Sequence, residues 1–406
     1  NKVRFISVTK AGRISRTETI IEKGKVYFSK DAKERKLTGS YYTPEDVVEY
    51  IVKNTVDALL SEKKKELIDE IEPILNDLES AINESEQKRL KLFVDEKILK
   101  FTEEKILSLS VLDPTMGSGH FLVNATNHIA NFIVELLNEY LGYNSKIDSN
   151  TAFWRRRVIE NCIYGVDLNP LAVELAKLCL WITTAFKEKP LSFLNHRLKQ
   201  GNALVGVSIS DLEKFLEKSE SKPSLFMQAY INCIREAAEG YKEKLSKLTE
   251  TREDIEEKKE ILAELDKDLF PYKYLCNLFT HYLLGELKEN DLLLQIENWN
   301  KPDKTENLPA SSISKNFFHW DIEFPDVFYG NTPGFDCVIG NPPYVLYSKV
   351  KKQYRIVGYK TQKCGNLYAF VMERSLNLLR HKGICGIISQ LSLISKDKMI
   401  PIQEIL

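Results

Sequence analysis

Apolar positions along the chain follow two different rhythms. Between about residues 107 and 209, and again from 335 to 389, short apolar runs alternate with stretches of helical spacing. The runs Leu107–Leu112, Cys162–Asp167, 198–209, Phe335–Gly340 and Gly383–Ser389 read as strands or strand-and-turn segments. Helices are expected up to about Tyr140, from Pro170 to about Phe186, and over 366–381. Strands alternating with helices predict an α/β, doubly wound, mostly parallel sheet. Residues 61–105 and about 211–300 instead repeat Lys, Glu and Leu at helical spacing, densest over 234–268. They read as solvated amphipathic helices, the second set as an insertion; a coiled-coil partner surface is the alternative. Ahead of them, Thr43 is placed to N-cap a helix with Pro44 in its first position and Glu45 and Asp46 at the positive dipole end. Residues 1–36 show poor periodicity and read as a linker or tail.

Composition adds bounds rather than identity. A hydrophobic fraction of 43% and a charged fraction of 28% are those of a globular protein, with no apolar run long enough to span a bilayer. Asn1-Lys2-Val3-Arg4 is not a signal peptide, so a cytoplasmic location is expected. The seven cysteines form no C-x-x-C pair and no zinc spacing, so reduced thiols and no metal site are expected. The net charge of -1 looks wrong for a nucleic-acid partner, but the charge is uneven. Residues 1–36 carry eleven Lys or Arg against four acids, and Lys349 to Lys363 contains no acid. Near-neutrality therefore excludes little.

Three strand ends carry candidate chemistry. Asp113-Pro114-Thr115-Met116-Gly117-Ser118-Gly119 closes the first strand, where a doubly wound sheet places its cofactor. Gly117 and Gly119 permit a tight turn and close ligand approach, although Gly-x-Gly alone is weak evidence and the dinucleotide spacing is missing. Asp113 suits a cationic amine better than a pyrophosphate. Asp167 ends the next strand; it is placed to accept from ribose hydroxyls or to cap the helix at Pro170, and the two roles are compatible. Asn341-Pro342-Pro343-Tyr344 follows the buried strand Phe335–Gly340. Two prolines stop the ladder and hold the backbone extended. The Asn341 side-chain oxygen and the Pro342 carbonyl can then accept both protons of a planar exocyclic amine and favour a more tetrahedral nitrogen. Tyr344 is placed to stack on an extruded base. The basic loop that follows, with Lys349, Lys351, Lys352, Tyr354 and Arg355, is read as gripping phosphates; a solvated mobile loop is the alternative. Trp154-Arg155-Arg156-Arg157 reads as packing rather than a phosphate contact.

Taken in order, these pieces resemble the adenine-N6 DNA methyltransferases of the gamma arrangement, in particular the methylase part of type IIG restriction–modification enzymes and related phage-defence methylases. The matching segments are Thr38 to Pro44, Asp113 to Gly119, Gly165-Val166-Asp167, Gly201 to Gly206 and Asn341 to Tyr344, with Asn366 to Leu379 and Gly383 to Ser392. The resemblance implies a Rossmann-like class I methyltransferase over 38–406, preceded by a linker or tail over 1–37. It implies S-adenosylmethionine as cofactor, with Tyr42, Thr43 and Pro44 at its methionine end. Asp113, Pro114, Thr115, Gly117 and Gly119 would surround its amino-acid portion, Asp167 and Leu168 would hold the ribose, and Asn202 and Ala203 would lie by the adenine. Many relatives carry Asp at position 202, and Met116 replaces a residue that is often small. Double-stranded DNA is the expected partner, with a nuclease domain or other defence-system subunits in the same system. No room is expected within this chain for a C-terminal target-recognition domain. An RNA-adenine or protein-glutamine methyltransferase, and a non-catalytic cofactor-binding subunit, are the competing readings.

Overall fold

In the computed structural model, the described residues are 2–5, 19–22, 43–140, 150–184, 189–218, 224–299 and 317–406. Within the stretch read as a linker, β1 (Lys2–Phe5) and β2 (Thr19–Glu22) pair antiparallel, with Lys2 opposite Glu22. Four-residue strands are too short to show a period in sequence.

The main sheet holds five parallel strands in the order β5-β4-β3-β6-β7. These are β3 (Val111–Asp113), β4 (Ile163–Asp167), β5 (Leu198–Gln200), β6 (Phe335–Gly340) and β7 (Leu379–Ile387). After β3 the chain builds outward through β4 to β5, then returns across β3 to add β6 and β7. The order therefore reverses between β3 and β6, which leaves a crevice at their carboxyl ends. Helices α1 (Glu45–Ser80), α2 (Glu84–Phe101), α3 (His120–Tyr140), α4 (Thr151–Asn161) and α5 (Pro170–Thr183) surround this sheet in chain order. This is the parallel α/β sheet that the strand and helix rhythm predicts, in the Rossmann-like form that the resemblance implies.

Three element ends differ from the sequence reading. β3 starts at Val111 rather than Leu107, because residues Thr102–Ile106 extend α2 as a π-turn, with the Leu107 amide donating to Thr102 O at 2.9 Å. β7 starts at Leu379, ahead of the polar run Arg380-His381-Lys382, because Asp336 of β6 pairs with Arg380 while also accepting from the Ser110 amide and hydroxyl. Thr43 does not cap α1. Pro44 occupies the N-cap position without a side-chain bond, and its carbonyl accepts from Val47 and Val48. The Thr43 hydroxyl is thereby left for another partner.

α1 lies across β6 and β7: a Cβ on Gly386 would stand 2.6 Å from Thr55 Cγ2. Its first turn is fastened to α3, where Glu45 reaches His120 Nε2 and accepts from Asn124 at 3.0 Å. Farther along, Asp57 reaches His128 at 2.9 Å.

Helices α6 (Ile209–Lys218), α7 (Ser224–Ser246), α8 (Arg252–Leu283) and α9 (Glu289–Trp299) bury a core of their own, including Leu212, Leu216, Ile234, Leu275 and Phe279. Between β7 and the preceding strand stands α10 (Leu367–Leu378). Thr251 opens α8 with a capping box to Asp254. Just ahead of it, a buried ionic clasp fastens this helical unit to α4. Glu160 is fully buried and accepts from the Thr249 amide at 3.1 Å, with Lys258 Nζ 3.6 Å away. Arg156, buried on the same helix, donates to Thr249 O, and Arg157 pairs with Glu103. The Trp154–Arg157 segment therefore packs, as its composition suggested. Among the described residues no helix is long and apolar enough to cross a membrane.

Removing one member of a buried ion pair leaves the other uncompensated, at a cost of roughly 3 kcal/mol. Lys258→Met should lower the thermal midpoint accordingly, whereas Lys259→Met, at an exposed neighbour, should leave it within a degree or so. Equal midpoints in a melting experiment would show that the clasp contributes nothing.

Candidate active site at the switch point of the sheet

The carboxyl ends of β3 and β6 come into close contact. Asp113 is 1% exposed, and its Oδ1 would lie 2.7 Å from a Cβ placed on Gly340. Only glycine at 340 lets that carboxyl stand beside the start of Asn341-Pro342-Pro343-Tyr344. Asp113 Oδ1 accepts from the Thr115 amide at 3.0 Å. Burial raises its pKa to about 8, the Thr115 bond offsets this in part, and nearby Asp167 raises it further. Among the described residues no cation offsets this carboxyl, so the site favours a positively charged group.

The Gly-rich turn crosses toward β4. Met116 donates to Val166 O at 3.0 Å, and Gly117 donates to Asp167 Oδ2 at 2.9 Å. Asp167 Oδ1 accepts from Asn169 at 2.8 Å, while Asn169 itself caps α5 by accepting from Leu171. Burial raises the Asp167 pKa, and its two backbone bonds lower it. Each oxygen still has acceptor capacity for a ligand hydroxyl. Gly117 and Gly119 take φ of 54° and 78°, in the left-handed region. A Cβ on Gly117 would meet nothing within 4 Å, whereas one on Gly119 would press on Ala176 of α5 at 3.1 Å. Met116 is buried because Gly165 makes room: a Cβ there would stand 2.2 Å from its sulfur. Pro114 is buried, and the buried Thr115 Oγ1 has no hydrogen-bond partner among the described residues. Leu168 is half-exposed beside Asp167.

At the third strand end, the Asn202 side-chain oxygen accepts from the Leu204 amide at 3.1 Å, which leaves its second lone pair and the NH2 for a ligand. Buried Ala203 offers its carbonyl to Trp320 at 3.0 Å. A separate cavity of about 650 Å³ lies along the outer edge of β5, between α5 and α8. Its cations are paired in place, Lys199 and Lys273 with Glu323 and Lys177 with Glu174, and Asp266 adds a further carboxyl to its lining.

At the fourth, Asn341 bridges two elements. Its Nδ2 donates to Thr43 Oγ1 at 3.1 Å, and its Oδ1 accepts from the Tyr344 hydroxyl at 2.7 Å. That hydroxyl also lies 3.1 Å from Ile388 O, just beyond β7. Burial pushes the Tyr344 pKa up to about 12, with the neighbouring Tyr368 a smaller cause. Pro342 is buried, and Pro343 and Tyr344 are half-buried. Thr43, Asp113, Asp167 and Asn341 thus converge on one edge of the sheet. Tyr42 lies outside the described residues, and Pro44 is exposed at the start of α1.

The basic loop divides. Lys349, Lys351 and Lys352 are exposed. Tyr354 instead packs with Tyr347, Val350 and Ile356, and Arg355 donates to Leu284 O, the last residue capping α8, at 2.6 Å. Glu373 on α10 holds the far end of the loop by accepting from the Lys360 and Thr361 amides and the Thr361 hydroxyl. Unforeseen in sequence are His120 and Asn124, to which Glu45, read there only as an acid at the helix start, fastens the Thr43 segment, and the Ile388 carbonyl. His120 directly follows Gly119, which was the one available signal.

Comparison with known proteins gives three findings. The family described as Eco57I restriction-modification methylase matches residues 161–405. The family described as MmeI, DNA-methyltransferase domain, matches residues 82–200. A Methanocaldococcus jannaschii protein, provisionally named as a type II restriction enzyme and methyltransferase, is 27% identical over 404 aligned positions, covering 88% of this chain and 32% of that protein.

A carboxyl whose folded pKa is raised binds a proton that the unfolded chain has already lost. Its contribution therefore makes the folded state less stable as pH rises from about 4 to about 8. Asp113→Asn keeps an acceptor for the Thr115 amide and removes that penalty. The ligand-free variant should melt higher than the wild type at pH 8 and at nearly the same temperature at pH 4. A variant that melts lower at pH 8 would show that the carboxyl is compensated.

Proposed function

The chain belongs to the Eco57I restriction-modification methylase family, and we propose that it transfers a methyl group from S-adenosylmethionine to N6 of an adenine flipped out of double-stranded DNA. One observation carries this reading: a buried carboxyl that favours a cation stands against the strand end that presents the Asn341 and Pro342 acceptors.

The residues present suit the cofactor. Asp113 matches a cationic amino-acid portion, the Thr115 hydroxyl is buried without a partner, and Gly117 leaves room beside both. Thr43, Pro44 and Tyr42 would close over the methionine end. Asp167 and Leu168 would hold the ribose, and Asn202 and Ala203 would border the adenine, with the Asn202 NH2 able to donate and its oxygen keeping one lone pair beside the Leu204 bond. When bound, S-adenosylmethionine supplies a methyl group activated by a sulfonium.

The protein's own part is to hold the amine. The N6 lone pair is delocalised into the base, so the amine is a poor nucleophile at rest. Asn341 Oδ1 uses one lone pair on Tyr344 and keeps another, and the Pro342 carbonyl is held by a rigid backbone. Two acceptors aimed at the two amine protons stabilise the positive charge that grows on nitrogen during transfer. Asn341 and Pro342 do not titrate, so they act by electrostatic preorganisation and not as a general base. The Tyr344 ring would border the extruded base, its hydroxyl kept protonated by burial.

We assign Lys349, Lys351 and Lys352 to phosphates beside the flipped base, with Tyr354 and Arg355 bracing the loop that carries them. We read 38–406 as one methylase domain with α6–α9 inserted, working in a restriction–modification or phage-defence system. The relative named above bears a restriction activity in its name, and this chain covers 32% of it. We accordingly propose that the full-length protein joins methylation to recognition and cleavage functions.

The test is methyl transfer from labelled S-adenosylmethionine to DNA by the full-length protein, followed by nucleoside analysis. N6-methyladenine should form, and Asn341→Ala should lower the rate by about a hundredfold or more while cofactor binding persists. Label appearing in RNA or protein but not in DNA, or an Asn341→Ala variant as fast as wild type, would refute the reading.

A further inference from the structure

We propose that Thr43 is a positioning residue that couples cofactor occupancy to the orientation of the Asn341 amide. The inference deepens the reading above and rests on it.

The hydrogen bonds around Asn341 admit two polarities. In one, Nδ2 donates to Thr43 Oγ1 and Oδ1 accepts from Tyr344, as the structure shows. In the other, the amide is turned over: the Thr43 hydroxyl donates to Oδ1, the amide donates to the Tyr344 oxygen, and Tyr344 gives its proton to the Ile388 carbonyl. Both hydroxyls can donate or accept, and the Tyr344 proton has two acceptors within reach. Every partner is satisfied either way, so Tyr344 cannot select the polarity alone. Only the first leaves the Asn341 oxygen on the Tyr344 side, away from Thr43.

What decides is where the Thr43 proton goes. Thr43 is 8% exposed, held against Pro44 at the start of α1, whose first turn is fastened to His120 and Asn124. Its oxygen accepts from Asn341, and its own proton is donated to no acceptor among the described residues. At the methionine end of the cofactor, a carboxylate is an acceptor only. Once it takes the Thr43 proton, Thr43 Oγ1 can only accept from Asn341. Turning the amide over would then set two acceptor oxygens face to face. Cofactor binding thereby locks the amide with its NH2 toward Thr43 and its oxygen toward the base. The hydrogen bond that Thr43 would have accepted as an N-cap is exchanged for the one it accepts from Asn341, which explains why α1 begins after Pro44 without a side-chain cap.

The experiment uses the full-length protein, with Thr43→Val, which keeps the shape but not the hydroxyl, and Thr43→Ser, which keeps the hydroxyl. Single-turnover methyl transfer to DNA is measured together with the factor by which S-adenosylhomocysteine tightens binding of DNA carrying the target adenine. Thr43→Val should slow transfer by about tenfold at saturating cofactor. It should also reduce the tightening factor toward one, at an unchanged melting temperature. Thr43→Ser should restore both. In an Asn341→Ala background Thr43→Val should have no further effect on the tightening factor, because the hydroxyl acts through that amide. Thr43→Val as fast and as strongly coupled as wild type, or equally damaging with and without Asn341, overturns the relay. If wild type methylates adenine and depends on Asn341 in that case, the proposed reaction stands without it. A wild type that transfers no methyl to adenine overturns both.

Discussion

Asp113 places a carboxyl, almost entirely shielded from water, against the backbone of Gly340 at the point where the strand order reverses. Much of the neighbouring structure answers to that placement. β3 and β6 must be adjacent, so the chain after β5 must cross back over β3. Position 340 must lack a side chain, and the turn after Asp113 must bring the Thr115 amide back to it. A single backbone hydrogen bond does not offset the burial, and the neighbouring Asp167 works against ionisation. The fold thus carries a destabilising group whose cost a cationic ligand would remove, a common way for stability to be traded for binding.

Elements outside the sheet make sense in relation to this crevice. α1 brings Thr43 to it, and the contacts of Glu45 with His120 and Asn124 register that helix on α3, which the Gly-rich turn begins. The helical unit α6–α9 has its own core and is fixed to α4 by a buried clasp. From α8 it also receives Arg355 through the Leu284 carbonyl, so it braces the basic loop that leaves Tyr344. Lys349, Lys351 and Lys352 stand exposed on that loop.

Local chemistry made much of this legible in sequence. An acid or glycine at the ends of β3 to β6 marked those strand ends, and the double proline marked the end of β6 again, because those residues act through their own backbone or through the next few residues. What sequence did not reveal depends on residues far apart in the chain. Thr43 reads as an N-cap because nothing local shows Asn341, almost three hundred positions away, as its partner. The π-turn at Thr102–Ile106 displaced the start of β3 because helical and strand runs of apolar residues look alike over so short a span. Lys258 read as one more charge on a solvated helix until the fold buried it beside Glu160. Tyr354 and Arg355 have the composition of a nucleic-acid contact, yet each has a partner within the protein.

Proton linkage tests the account at its centre. A cation bound beside Asp113 needs the carboxylate, and the free protein holds that group protonated below a pH of about 8. Calorimetric titration of S-adenosylmethionine at pH 7, repeated in buffers of different ionisation enthalpy, should show release of nearly one proton per site. Asp113→Asn should abolish that release. Binding without proton release in the wild type, or release that persists in Asp113→Asn, would contradict the assignment of Asp113 to the cationic end of the cofactor.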